Sequence, residues 1–160
     1  MRKFFIFLFF VIFVFLMCSC PMDYERFWYC NNTTSDTLLI SLAYGFPVAY
    51  PDTILPKNFN EAHLIIVNPK TKQTIEIKGV RDENFFSELP KDTLSVFILN
   101  RDTIKNYSWE DVRTNNKILL RIDLSFEDIK KLKFIIPYPP TEAMKDMKMW
   151  SPYDSVINRK

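Results

Sequence analysis

One segment decides how much of this chain has to fold. Arg2 and Lys3 precede an unbroken apolar run of 13 residues, 4–16, which Cys18, Ser19 and Cys20 close. A positive start, a short apolar stretch and small residues form the layout of a secretory signal. The run is shorter than the ~20 apolar residues that cross a bilayer. Removal after export is therefore expected, in preference to a retained anchor helix. The folding unit is then 20–160, or 141 residues, enough for one domain and short for two.

The end of the run resembles a bacterial lipobox. Ser19 stands just before Cys20, with Cys18 and Met17 behind it, and Met17 occupies the place where leucine is usual. The resemblance implies cleavage between Ser19 and Cys20 and lipidation of Cys20. Each acyl CH₂ buried in a bilayer contributes about 0.8 kcal/mol, and a single chain holds only reversibly. A multiply acylated Cys20 would therefore fix the protein to the membrane. The partner expected from this end of the chain is a membrane, reached through a lipid anchor in the cell envelope, with the outer membrane as the expected location.

Composition changes once the signal is set aside. Seven of the 15 Phe lie in 1–19, so the aromatic excess belongs mainly to the signal. Without Arg2 and Lys3, the 21 basic residues fall to 19 and match the 19 acidic ones. A neutral, mixed surface argues against a nucleic-acid partner, which calls for a basic stripe, and against strong long-range steering toward anionic lipid. Two glycines rule out a Gly-rich phosphate loop, and a single His63 rules out a multi-histidine metal site. Neither a metal nor any other cofactor is expected. With Cys18 removed and Cys20 acylated, Cys30 is the remaining thiol, and it reads as a small buried hydrophobe in a strand.

Short β-favouring runs separated by polar turns fill the domain. Residues 27–30 and 38–44 flank the polar cluster 31–36 and read as one hairpin. Residues 62–67 and 74–78 flank 68–71 and read as a second. Further strands are expected at 94–99, 118–123 and 134–136. Helical starts are marked at Ser108, followed by Glu110 and Asp111, and at Ser125, followed by Glu127 and Asp128. These predict helices over 109–114 and 126–132, and 82–89 reads as a single helical turn before Pro90. The expected fold is all-β, a β-sandwich of immunoglobulin-like type with two short connecting helices; α+β is the alternative. Residues 20–25 read as a tether, 26–140 as the β-rich domain, and 141–160 as a mobile tail with helix at 142–149 and Trp150 as its one large anchor.

Two features point outward. Tyr44, Phe46, Tyr50, Trp109, Tyr138 and Trp150 lie in or beside loops, and rings gathered on one rim stack on sugars or on a partner protein. Tyr44, Phe46, Tyr50 and Tyr138 are the candidate contacts, set against the plainer reading that rings plug the ends of the sandwich. Asp-Thr followed by Leu or Ile also occurs four times, at Thr37, Thr53, Thr93 and Thr103, and Asp154-Ser155-Val156 is of the same type. The plain account is a turn-closing Asp and a Thr that begins a strand. The motif equally resembles the O-glycosylation acceptor of Bacteroidetes envelope proteins, which makes Thr37, Thr53, Thr93, Thr103 and Ser155 candidate acceptors. Blocks 31–40 and 107–140 resemble short uncharacterised lipoproteins of the same group. Asn32 and Asn106 sit in N-x-Ser/Thr sequons, relevant to a eukaryotic secretory host.

No chemistry is nominated. His63 stands alone in an apolar run and reads as structural, and no Gly-x-Ser-x-Gly elbow is present. The expectation is a lipid-anchored structural or binding module without catalysis, with an envelope protein or a glycan as partner. The alternative is a carboxylate-based glycan hydrolase, for which Asp82, Glu83 and Glu110 supply acids, or a glycan-binding accessory protein.

Overall fold

The computed structural model describes residues 27–43, 55–75 and 82–158. Its strands are β1 (Trp28–Asn32), β2 (Leu38–Ala43), β3 (Ile65–Val67), β4 (Thr71–Ile75), β5 (Thr93–Asn100), β6 (Leu120–Ser125), β7 (Ile135–Tyr138) and β8 (Lys148–Trp150). Its helices are α1 (Asp82–Glu88), α2 (Arg101–Asn106), α3 (Trp109–Thr114), α4 (Phe126–Lys131) and α5 (Tyr153–Ile157). The strands form two sheets, β4-β1-β7 and β3-β2-β5-β6-β8. The larger sheet is antiparallel throughout, while β1 pairs antiparallel with β4 and parallel with β7.

Neither expected hairpin forms. β1 and β2 lie in different sheets, and so do β3 and β4. Each pair is an arch, in which the turn carries the chain across the interior instead of back along a ladder. The two arches nest, so that β1 pairs with β4 and β2 with β3. Asn32 locks them together. Its buried amide donates to the carbonyls of Asp36 at 2.7 Å, Asn68 at 3.0 Å and Val67 at 3.4 Å. Its Oδ1 accepts from the Thr34 amide at 2.9 Å and the Thr34 hydroxyl at 2.8 Å. The Lys70 amide completes the tie on the Thr34 carbonyl. Hydrophobic alternation fixes which side chains face inward, but it does not choose a strand's partner.

The architecture is two-sheeted and sandwich-like. One core cluster draws Trp28, Cys30, Ile75 and Ile136 from the small sheet and Ile40, Val96, Ile98 and Ile122 from the large one. Trp28 is wedged among rings: Phe86 stacks on it at 5.8 Å, Phe85 meets it edge-on at 6.4 Å, and Phe134 lies at 6.3 Å. A second cluster covers the far face of the large sheet. Leu39, Phe97 and Leu99 pack there against Leu55, Val112, Ile104 and Trp109, which brings α2 and α3 onto that side. Among the described residues the far face of the small sheet has no such layer: Tyr29, Ile135 and Pro137, all half-buried, belong to neither cluster.

Both capped helices stand where the sequence places them. The Ser108 hydroxyl accepts from the Asp111 amide, and Ser125 and Asp128 cap each other reciprocally. Residues 82–88 form a true helix, α1, and with two further helices, α2 and α5, the described residues carry five short helices, against an expected two and a single helical turn. The segment after Thr141 also departs from expectation. Instead of a tail lacking strands, it supplies β8, which pairs with β6, and it buries Met144, Met147 and Val156 in the main core. Trp150 is not its anchor, being 47% exposed. Three spaced apolar side chains hold the segment, too few and too irregular to give a periodic signal. No helix among the described residues is long and apolar enough to cross a membrane.

Candidate functional site

The densest polar constellation lies on the far face of the large sheet, beside the second cluster. Strand register sets Ser95 of β5, Asp123 of β6 and Lys148 of β8 in one row, with Arg121 two residues along β6. Asp123 is buried. Its Oδ1 accepts from the Ser95 hydroxyl at 2.7 Å and from Arg121 Nε at 2.8 Å. Its Oδ2 accepts from a second Arg121 nitrogen at 3.1 Å and faces Lys148 Nζ at 3.1 Å. Burial works against the charge on Asp123, but the hydrogen bonds from Arg121, Ser95 and Lys148, with Arg121's own charge, outweigh it and hold the carboxyl below its usual range. A carboxylate held this way does not serve as a general acid near neutral pH. The Arg121 guanidinium also lies 5.7 Å from the Phe97 ring centroid, which orients it along the sheet.

A second polar contact fastens the chain where residue 55 meets α3. Arg113 donates to the Leu55 carbonyl at 3.1 Å, and the Trp109 indole donates to the Pro56 carbonyl at 2.8 Å. Phe59 meets Trp109 edge-on at 5.3 Å. Trp109 is thus a structural ring that secures the exit of the proline-containing stretch. Glu110, one of the acids considered for hydrolysis, is exposed and faces Arg113 at 3.4 Å. Asp82 begins α1, and the side chains of Asp82 and Glu83 lie outside what is described.

The sequence-nominated residues scatter. Cys20, Tyr44, Phe46, Tyr50 and Thr53 fall outside the described residues. Tyr138, expected at an aromatic rim, is instead a core residue of β7. Its position alternates with Pro137 and follows Ile136 inward, a strand parity hidden by the prolines that flank it. Cys30 is fully buried in β1, and burial pushes its thiol up to about 12. His63 is exposed and takes a left-handed backbone after the helical turn Phe59–Ala62, two residues before a strand that begins only at Ile65. Asn32 is committed to the arches, so its sequon offers no free amide, whereas Asn106 is exposed at the end of α2.

The Asp-Ser/Thr-aliphatic tripeptides divide in two. Thr37 leads into β2 and Thr93 begins β5, with Leu38 and Leu94 buried behind them as strand chemistry requires. Thr103 sits inside α2 and Ser155 inside α5, so strand formation does not account for those two copies. Ser155 is exposed, and Thr37, Thr93 and Thr103 are half-buried. Among the described residues no cluster of three or more His, Cys, Asp or Glu side chains could hold a metal ion.

Sequence reasoning missed the Asp123 row and the outer face of the small sheet. The row had one available signal, the alternation Arg121-Ile122-Asp123-Leu124, which sets two charges on the face opposite two core residues. Comparison with known proteins finds no matching family, no matching curated protein and no matching solved structure.

Proposed function

We propose that the chain is a lipid-anchored protein of the cell envelope, held at Cys20 in the outer membrane, whose domain works as a structural or binding module without catalysis. The observation that carries this is the order Arg2-Lys3, apolar 4–16, Ser19-Cys20. Support comes from spacing: the first described strand starts at Trp28, eight residues after the cysteine, so the anchor would meet the domain through a short tether. The Bacteroidetes lipoprotein resemblance belongs to the same proposal, and with it O-glycosylation at Thr37, Thr53, Thr93, Thr103 or Ser155. Ser155 is the favoured acceptor among the described ones because it is exposed and its motif has no strand-based explanation. The immunoglobulin-like form of the sandwich is also proposed here. Two facing sheets support it, while the parallel β1–β7 pair departs from the antiparallel sheets of that fold.

The test is membrane fractionation of the full chain and of Cys20→Ala, washed at high salt and at alkaline pH. The proposal expects the parent in the pellet and the variant in the supernatant or retained as unprocessed precursor. Equal sedimentation of two processed chains would overturn it.

A further inference from the structure

We propose that the outer face of the small sheet is a membrane-contact face that settles on anionic headgroups. The inference rests on the lipid-anchor reading and adds an orientation to it.

Strand alternation defines the face. Trp28, Cys30 and Asn32 point into the protein, so Tyr29 and Asn31 point out, and register adds Thr74 and Lys72 from β4 and Ile135 and Pro137 from β7. Lys72 Nζ sits 4.0 Å above the Tyr29 ring, which places that lysine on the same side. Phe27, next in the alternation, is 47% exposed. The large sheet covers its own outer face with α2 and α3, whereas among the described residues none of this face joins either core cluster; Lys72 is exposed, and Tyr29, Asn31, Thr74, Ile135 and Pro137 are half-buried.

The chemistry of the face fits a bilayer surface. β1, β4 and β7 contain no acidic residue. Their outward side presents an aromatic ring, aliphatic groups and one ammonium, the mixture that resides at the headgroup level. Lys133, exposed just before β7, and Lys131, exposed at the end of α4, add positive charge in the residues leading to the strand that flanks Tyr29, whereas Lys130 is paired with Glu127 at 2.9 Å. Position argues the same way. Phe27 is seven residues from Cys20, a span of at most about 25 Å. A domain tethered that closely meets the surface continually, and β1, the first described strand after the cysteine, is the central strand of this face. Lipid is the occupant favoured over a second copy because two copies would bring together faces whose described strands carry lysine and no carboxylate to pair with it.

The test uses the full lipidated chain in vesicles carrying a lipid-bound quencher. A fluorophore is placed at Thr74→Cys on the face, or at Asn106→Cys on α2, beyond the opposite sheet. Cys30 is buried and does not compete for the label. In vesicles containing phosphatidylglycerol the dye at 74 should be quenched and the dye at 106 should not. Lys72→Gln should lower the ratio of docked to free orientations about fivefold, the factor one lysine contributes beside an anionic leaflet, and pure phosphatidylcholine should lower it further. Equal quenching at both sites, or none at 74 while the protein stays in the pellet, overturns the contact and leaves the anchor standing. Self-quenching at 74 that rises with protein density and ignores lipid charge also overturns it, in favour of a second copy. Loss of the parent chain from the pellet overturns the anchor itself.

Discussion

Replacing Asp123 by Asn tests whether the buried row on the large sheet is held by charge. The substitution keeps the shape and removes the anion that Arg121 and Lys148 share. Removing one partner of a buried ion pair costs about 3–5 kcal/mol, because the other charge stays desolvated. Here the Arg121 side chain is 20% exposed and that of Lys148 is 62% exposed, so solvent screens much of the residual charge. An expected loss of about 2–3 kcal/mol at pH 7 follows. Its pH dependence is the sharper part. The carboxyl is held below its usual range in the folded protein, so its contribution is complete above the unfolded-state pKa of about 3.9. That contribution disappears as pH falls through the folded value. Urea titrations of parent and variant should therefore differ most at neutral pH and converge below about pH 4. Other carboxylates cancel in the difference. A gap that stays constant from pH 7 to pH 3, or widens on acidification, would refute the electrostatic account.

Three further outcomes follow from the fold. Asn32→Ala removes the amide that holds both arches and the oxygen that Thr34 donates to; the Thr34 and Thr71 hydroxyls still reach the Asp36 and Asn68 carbonyls, so it should cost about 1–3 kcal/mol by chemical denaturation, the penalty of roughly one buried unsatisfied group. A loss below about 0.5 kcal/mol would show that the arches hold without it. The Cys30 thiol, pushed up to about 12, should resist a thiol-specific reagent at pH 8 and react fully in urea; rapid labelling of the native chain would contradict its burial. Truncation after Thr141 deletes β8 and three buried side chains, each worth about 1.5–3 kcal/mol. That sum rivals the whole stability of a small domain, so the shortened chain should lose its cooperative unfolding transition. An unchanged melting curve would return the segment to the status of a loose tail.

Local chemistry made part of this fold legible in the sequence. Ser108 and Ser125, each with acids in the following turn, announced α3 and α4 because capping needs only neighbours along the chain. The inward run 94–99 announced β5 for the same reason. Partner choice was not legible. The turns at 31–36 and 68–71 are compatible with hairpins or with arches, and the decision rests on Asn32, whose three carbonyl acceptors come from two distant stretches of chain. The Asp123 row depends on strand order in the same way, since Ser95 and Lys148 become neighbours only once β5, β6 and β8 are aligned. The outer face of the small sheet was hidden for a related reason. Tyr29 and Ile135 look like ordinary strand residues until the sheets are assembled and both prove to lie outside the core clusters of the described residues.

The intact mass of the protein extracted from membranes tests the central claim most directly. A chain beginning at Cys20, 141 residues long and heavier than its sequence by the mass of attached acyl groups, is the predicted result. Any further increment would report glycan. An unmodified chain that still carries residues 1–19 would contradict the account.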